Sequence, residues 1–256
     1  MTYSAPVRNT HLVLIPSYNT GRKLLETVQE ARSHWAPVWV VIDGSTDGSD
    51  LAVEKHFAND PDVRLFHLPR NQGKGAAILH GLKLAEAENF THVLTMDSDG
   101  QHPAWMIPEF VAESRANPEA LILGRPVFDS SAPRIRVLGR KLSNLGTSLE
   151  TFWHFDSLFG FRVYPVAALR QVMESSRWMR RFDFDAEAVV RLCWKGFRPI
   201  NLPTPVQYFR SDQGGVSHFN YLRDNLLLSW MHARLVSGFM LRLPALLGRR
   251  LRPSRH

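Results

Sequence analysis

The sequence predicts an α/β protein with a mostly parallel central sheet. Short apolar runs typical of strands recur through the first half of the chain, at residues 11–16, 38–42, 63–68 and 91–96. Helix-like segments lie between them, at residues 20–35 and 73–88. Strands that alternate with helices at this interval indicate parallel pairing and burial on both faces of the sheet. Ligands of such sheets bind at the carboxyl ends of the strands, so the residues that follow each strand are the candidates for a site.

The second half of the chain is less regular. Residues 119–125 resemble another strand, residues 131–153 a basic and partly amphipathic helix, and residues 184–196 a helix that ends at Gly196. We expect a catalytic domain over residues 1–218. A basic amphipathic helical tail is expected over residues 219–256.

Composition limits the class of protein. With 256 residues, 44% of them hydrophobic, the chain can bury one substantial core, and disorder is not expected. The only cysteine, Cys193, excludes an internal disulfide and a cysteine-based metal cluster. The first ten residues lack the apolar core of a signal peptide, and no apolar run has the length of a spanning helix. A cytoplasmic location is therefore expected.

The net charge of +7 predicts an anionic partner, which can be a nucleic acid, a membrane surface or a phosphorylated substrate. The tail holds seven arginines and one acid, Asp224. On a helix, the charged residues of its first part fall within about one third of the circumference and leave a broad apolar face. This pattern predicts a helix that lies on an anionic membrane. The alternative is a helix packed on the catalytic domain.

Three carboxylates follow predicted strands directly. Asp43 comes after residues 38–42, and Asp97 and Asp99 come after residues 91–96. Asp43 opens the segment DGSTDGSD, where it either accepts hydrogen bonds from a nucleotide base or belongs to a structural turn. Because the carboxyl ends of parallel strands share one edge, we expect all three carboxylates to lie close together.

The segment NQGKGAA places two glycines around Lys74 at the start of a predicted helix. Backbone amides at such a position can approach a phosphate closely. The spacing differs from that of a P-loop, and no G-x-G-x-x-G is present, so a kinase or a dinucleotide-binding protein is disfavoured.

Taken in order, these motifs resemble those of the family 2 glycosyltransferases, most closely the branch that transfers mannose or glucose to polyprenol phosphate. The similarity covers roughly residues 10–220. It is based on the segments IPSYNTG, VVIDGSTDGSD, NQGKGAA, MDSDGQH, DSLFGFRVYP, FDAEAVVRLCWKGFRPINLP and GGVSHF. One departure is Ile42, which stands where members of the family often have a first acid before the GSTD turn.

The resemblance implies a GT-A fold that binds a nucleotide-sugar and a divalent cation, Mg²⁺ or Mn²⁺, at the predicted edge of the sheet. It places the cation on Asp97, Asp99 and Gln101, whose oxygen ligands suit such ions. The donor would be bound by residues from several segments: Pro16, Tyr18, Asn19, Asp43, Lys74, Asp97 and His218. Arg125 would contact a phosphate of the donor or acceptor, whereas Arg136 and Arg140 are expected to be surface charges.

The acceptor side of the site is less well defined by the sequence. Asp156 and Arg162 are predicted to be polar members of the acceptor and sugar pocket, with an internal ion pair as the alternative. Asp185 and Glu187 are two residues apart on a helix and do not share a face, so only one of them can reach the site. A catalytic base is needed for a hydroxyl acceptor, but not for an anionic polyprenyl phosphate.

The expected activity is therefore an inverting, metal-dependent hexosyl transfer to a lipid-linked acceptor, by an enzyme peripheral on the inner face of the cytoplasmic membrane. A second possibility is transfer to a hydroxyl of a small lipid or a soluble glycan. A nucleic-acid-binding protein is the remote alternative, because the arginines of the tail belong to no nucleic-acid motif and the carboxylates would repel phosphates.

Overall fold

The computed structural model describes residues 10–127, 134–206 and 221–250. Its strands form one sheet, in the spatial order β3-β2-β1-β4-β6-β5-β7. The strands are β1 (His11–Ser17), β2 (Val38–Asp43), β3 (Val63–Leu68), β4 (His92–Thr95), β5 (Ala120–Val127), β6 (Arg162–Pro165) and β7 (Arg198–Pro205). Only β6 among them runs antiparallel to its neighbours, β4 and β5. The predicted mostly parallel sheet is confirmed.

Eight α-helices connect and cover these strands within the described residues. They are α1 (Lys23–His34), α2 (Ser49–His56), α3 (Lys74–Ala87), α4 (Ile107–Ala116), α5 (Arg134–Thr151), α6 (Val166–Glu174), α7 (Asp183–Lys195) and α8 (Tyr221–Arg250). The helices predicted at 20–35, 73–88, 131–153 and 184–196 match α1, α3, α5 and α7 to within a few residues at each end. The predicted domain boundary at 218/219 lies outside the described residues.

The central strand β1 is buried on both faces, and successive residues belong to two separate cores. Leu12 and Leu14 pack in the core that contains α3 and α7, whereas Val13 and Ile15 pack in the core that contains α1 and α4. A side chain at Gly81 of α3 would come within 2.5 Å of Leu14, so this glycine allows helix and strand to pack closely. Burial on both faces explains why these strands read as continuous apolar runs.

Two histidines on neighbouring strands give the fold a pH dependence. The rings of His11 and His92 stack with their centroids 4.7 Å apart. Burial lowers the pKa of His11 from 6.5 to about 3, and it also lowers the pKa of His92.

Protons therefore bind the unfolded chain more readily, and the free energy of unfolding should decrease as the pH falls below about 6.5. Urea titrations at pH 7 and pH 5 measure this. A loss that His11→Asn fails to reduce, with exposed His67→Asn as control, would contradict the assignment.

The C-terminal helix α8 packs on the domain through one face only. Met231 and Leu235 are buried in the core beside α7, and the ring of Phe239 contacts that of Phe152. The alternative of a helix packed on the catalytic domain therefore describes one face of α8, and contact of the exposed face with a membrane stays a prediction. Within the described residues, no helix combines the length and hydropathy that a bilayer span requires.

Candidate active site

One cavity of about 580 Å³ lies at the carboxyl edge of the sheet. Its walls come from the ends of β1, β2 and β4, from the start of α3 and from α7. The predicted residues that line it are Pro16, Tyr18, Asp43, Lys74, Asp97, Asp99, Gln101 and Asp185. The topology thus brings together residues that are far apart in the sequence, as expected for a parallel sheet.

Lys74 is the electrostatic centre of the cavity. Its ammonium nitrogen lies 2.7 Å from Asp97 Oδ1 and 2.8 Å from Asp185 Oδ2. Burial alone would lower the pKa of Lys74, but the carboxylates of Asp185 and Asp97 raise it above the ordinary value. Lys74 is therefore charged over the physiological pH range. It connects the end of β4 with the first turn of α7.

The carboxylates of the cavity exceed the positive charge that Lys74 provides. Although burial opposes it, Lys74 holds the pKa of Asp97 below the ordinary value. Burial raises the pKa of Asp185, and burial together with nearby Asp97 raises that of Asp99 to about 6. The ammonium group of Lys74 pairs with Asp97 and Asp185 but does not offset the repulsion between Asp97 and Asp99. An additional cation at this place would be stabilised by the uncompensated charge.

His102 orients Asp97 and was not identified from the sequence. Its Nδ1 accepts a hydrogen bond from the backbone N–H of Asp97, 3.0 Å away, and its Nε2 lies 3.6 Å from Asp97 Oδ2. Burial lowers the pKa of His102 to about 4, so the ring is neutral at pH 7. The only sequence signal was its place in MDSDGQH, immediately after Gln101.

Asp43 has a structural role in addition to its place in the cavity wall. Its two carboxylate oxygens accept hydrogen bonds from the backbone N–H groups of Gln72 (2.8 Å) and Gly73 (2.7 Å). The loop after β2 lies so close to this segment that a side chain at Gly44, where φ is +68°, would meet the backbone of Arg70 at 2.4 Å. Asp43 therefore fixes the loop that delivers Lys74. A contact with a nucleotide base stays a prediction.

The glycines of NQGKGAA make room for protein backbone. A Cβ atom on Gly73 would lie 2.4 Å from the carbonyl oxygen of Arg180, and one on Gly75 would lie 2.2 Å from that of Met179. The N–H of Ala76 donates to the Arg180 oxygen at 3.0 Å. The sequence interpretation, close approach to a phosphate, overlooked this tertiary contact. The turn before α7 packs directly on the start of α3 and thereby brings Asp185 to Lys74.

The predicted acceptor-pocket residues Asp156 and Arg162 do not line the cavity. Asp156 is buried and accepts hydrogen bonds from Arg140 Nη1 (2.5 Å) and the backbone N–H of Phe159 (2.8 Å). Arg162 is fully buried and donates to the carbonyl oxygens of Asp156 and Asp185. Both side chains hold the backbone beneath the cavity, and the ion pair of Asp156 with Arg140 favours the structural alternative over a role in the acceptor pocket. The glycine of the same motif, Gly160, borders the site instead: a Cβ atom there would lie 2.7 Å from Lys74 Nζ.

Of the two acids that the sequence singled out on α7, Asp185 lines the cavity and Glu187 does not. Glu187 is fully buried on another face, where its carboxylate pairs with Arg191 at 2.7 Å and Arg234 at 2.8 Å. The two acids thus lie on different faces of α7, and a catalytic role for either of them stays a prediction. Glu187 does not line the cavity, and its two ion pairs connect α7 internally and to α8.

The remaining predicted residues have mixed positions. Asn19 stands beside the cavity, where its side-chain oxygen accepts from the N–H of Thr46 at 2.8 Å. Arg125, on β5, is exposed and does not line the described cavity. His218 and the side chain of Arg136 lie outside the described part of the structure. Two arginines that the sequence did not single out, Arg181 and Arg223, contribute to the cavity wall.

An acidic cavity at the carboxyl edge of a mostly parallel sheet, with one lysine among its carboxylates, has the position that ligand-binding sites take in α/β enzymes. The model of glycosyl transferase family 2 matches residues 12–175. The chain belongs to this family and is a glycosyltransferase.

Relatives in this family support the branch that the motifs indicated. The polyprenol monophosphomannose synthase of Mycolicibacterium smegmatis is 27% identical, over 78% of this chain and 78% of its own length. The UDP-N-acetylglucosamine–dolichyl-phosphate N-acetylglucosaminyltransferase of Methanococcus voltae is 25% identical, over 70% of this chain and 78% of its own. The chain therefore resembles the polyprenol-phosphate sugar transferases.

Solved structures establish the fold. Glucosyl-3-phosphoglycerate synthase from Mycobacterium tuberculosis, in complex with Mn²⁺, UDP-glucose and phosphoglyceric acid, superposes with a TM-score of 0.61 at 17% identity, covering 92% of this chain and 80% of that one. The mannosyltransferase PcManGT from Pyrobaculum calidifontis, in complex with GDP-Man and Mn²⁺, gives a TM-score of 0.55 at 19% identity, covering 78% of this chain and 57% of that one. At these identities the similarity shows the fold alone, which is the predicted GT-A fold.

Proposed function

We propose that this glycosyltransferase moves a hexose from a UDP- or GDP-sugar, with inversion, to a lipid-linked acceptor such as polyprenyl phosphate. The observation that supports this most is the group of Asp97 and Asp99, just beyond the end of β4, with Lys74 at the start of α3. It can hold a cation and a diphosphate next to each other. The acceptor class is supported by the relatives named for polyprenol and dolichyl phosphate.

The divalent cation is proposed to bind Asp97, Asp99 and Gln101. The residues fit such an ion, because burial and the charge of Asp97 raise the pKa of Asp99 to about 6, and a cation would remove this repulsion. The described residues contain no cluster of three or more His, Cys, Asp or Glu side chains with metal-binding geometry. Diphosphate oxygens would complete the coordination, as is common for Mg²⁺. When bound, the cation would neutralise the charge that develops on the leaving diphosphate.

The two acceptor classes make different demands on Asp185. A phosphate acceptor is already an anionic nucleophile, and Asp185 then only positions Lys74. A hydroxyl acceptor must lose a proton during attack, and Asp185 is the acid on α7 that lines the cavity and is able to accept it. Transfer to a hydroxyl of a small lipid or a soluble glycan is therefore the second candidate function.

Asp43→Ala is expected to raise the donor KM by about tenfold or more while kcat is nearly kept, because a base contact lies far from the bond that breaks. The variant should also be less stable, because two backbone N–H groups lose their acceptor. Initial rates at varied donor concentration and a thermal melt measure the two effects. A large loss of kcat with unchanged KM and an unchanged melting temperature would place Asp43 at the reaction centre instead.

The test of the proposed function is a screen of UDP- and GDP-sugars with the purified full chain, with Mg²⁺, with Mn²⁺ and with excess EDTA. We expect slow hydrolysis of one donor class that EDTA abolishes, and transfer of its sugar to a short polyprenyl phosphate. Transfer that continues in EDTA would reject the cation site. Transfer only to hydroxyl acceptors would favour the second function.

If the acceptor is linked to a lipid, the enzyme must bind at a membrane surface to reach it. We propose a peripheral location on the inner face of the cytoplasmic membrane, with α8 in contact with anionic lipids, and no role for nucleic acid. Deletion of the tail near Asn220 would be a poor test, since α8 buries Met231 and Leu235 in the core. Substitutions on the exposed face of α8 leave that core intact.

A further inference from the structure

The helix α8 holds two charged residues against the domain and exposes a row of large apolar residues. Asp224 is fully buried, and Arg234 pairs with Glu187 on α7 while its guanidinium lies 4.0 Å from the centre of the Trp178 ring. The large apolar side chains that are exposed on this helix are Leu222, Leu226, Trp230, Val236, Met240, Leu241 and Leu247. A helix on the surface of a protein in water normally has the opposite arrangement. The exposed apolar face of α8 is therefore a candidate for a binding surface.

The helix α5 has a second face of the same kind. Leu142, Leu145 and Leu149 recur at helical spacing and are exposed by 72%, 56% and 62%. Trp153, just beyond the end of the helix, is exposed as well. Three leucines at positions i, i+3 and i+7 form one stripe along a helix. The sequence analysis described this segment as basic and partly amphipathic and did not identify the stripe of leucines.

The two helices lie side by side. Both pack against α7 and against each other. Ser143 Oγ lies 3.1 Å from His232 Nε2, and His232 Nδ1 lies 3.3 Å from Glu150 Oε1. These contacts join the inward faces, so the exposed apolar residues of both helices point away from the core. We call them together the α5–α8 outer face.

The charges around the α5–α8 outer face have one sign. The only acids within the two helices, Glu150 and Asp224, are both buried. Lys141 and Arg242 are exposed, and the sequence adds Arg249 and Arg250 at the end of α8. Two copies of such a face would bring like charges together. An anionic bilayer offers the complementary partner, with acyl chains for the apolar residues and negative head groups for the basic ones.

We infer that the α5–α8 outer face docks on an anionic lipid bilayer, with α5 and α8 together lying at the boundary between head groups and acyl chains. This inference specifies the membrane contact of the proposed function and rests on that function for its biological purpose. Vesicle binding can nevertheless be measured without any sugar transfer. Tryptophans such as Trp153 and Trp230 are enriched at this depth of a membrane. Arg223, in the first turn of α8, lines the active-site cavity, so the cavity opens next to the docked surface.

The test uses the full chain and vesicles of equal parts phosphatidylglycerol and phosphatidylcholine, without donor or acceptor. The variants are Leu145→Gln with Leu149→Gln on α5, and Leu226→Gln with Met240→Gln on α8. The control is Leu51→Gln, a leucine exposed by 63% on α2. We expect each double variant to lower the vesicle partition coefficient by about tenfold or more, because each loses the burial of two apolar side chains. The control should bind like the wild type.

Several outcomes would overturn the inference. If the wild type stays in the supernatant at low salt, the bilayer is not the partner. If only the α8 variant loses binding, α5 does not belong to the docking surface. If the wild type is a dimer in light scattering, and the variants are monomers with unchanged vesicle binding, the face joins two copies of the chain. Because the measurement needs no reaction, vesicle binding without any sugar transfer would reject the proposed function and leave the docking surface intact.

Discussion

Replacing Asp99 with alanine is expected to abolish sugar transfer, with a loss of kcat of about a thousandfold or more. Asp99 and Asp97 are proposed to hold the cation that balances the departing diphosphate, and loss of such stabilisation costs several kcal/mol in the transition state. The fold should be intact. The pKa of Asp99 is raised to about 6, which means that its charge costs folding free energy, so removal of the carboxylate should not destabilise the protein. Steady-state kinetics with saturating Mn²⁺ and a thermal melt measure both effects.

The matched control for Asp99→Ala is Glu88→Ala. Glu88 belongs to another acid-x-acid pair of the sequence, and it lies on the surface in contact with Arg64. Its replacement should leave kcat unchanged. Near-full activity of Asp99→Ala, or equal losses in both variants, would remove the reason for placing a cation at the end of β4.

Asp185→Asn and Glu187→Gln should separate the roles of these two acids of α7. In Asp185→Asn, the ammonium group of Lys74 keeps only Asp97 as a charged partner and competes there with the proposed cation. We expect kcat to fall by about a hundredfold or more with a hydroxyl acceptor, for which Asp185 also serves as base, and by about tenfold with a phosphate acceptor. Comparing the two losses identifies which acceptor requires a base.

Glu187→Gln provides the contrast, since its side chain is fully buried away from the cavity. Activity should be kept, whereas the free energy of unfolding should fall by up to about 3 kcal/mol because Arg191 and Arg234 lose a charged partner. Urea titration measures the stability. A loss of kcat in Glu187→Gln at unchanged stability would reassign the catalytic role to this acid.

The sequence predicts the parallel half of the fold and the edge where the site lies, because buried strands leave an apolar signal and the site residues follow them directly. The strand β6 was missed, since it has only four residues and includes the buried Arg162. The strand β7 was missed because Pro199, Pro203 and Pro205 interrupt it, which its position at the edge of the sheet tolerates.

Within the site, residue type and position predicted which carboxylates gather, but not what else they contact. Lys74 was expected at a phosphate, and the structure pairs it with two carboxylates. That pairing depends on the contact of Gly73 and Gly75 with the backbone of residues 179–180, more than a hundred positions away. A single sequence contains no local signal for such a contact. The same limit applies to Glu187, whose partner Arg234 lies on another helix.

The buried pair of Arg234 and Glu187 has a consequence for the range of acceptors. The pair connects α8 to α7, and α7 also supplies Asp185. If α8 lies on a membrane, the cavity would therefore stay at a constant distance from the lipid. A flexible tether would instead let the cavity sample many heights. We therefore expect the enzyme to discriminate by how far the reactive group projects from the membrane: a lipid with a long polar spacer before its phosphate should be used poorly, even if the phosphate itself is identical.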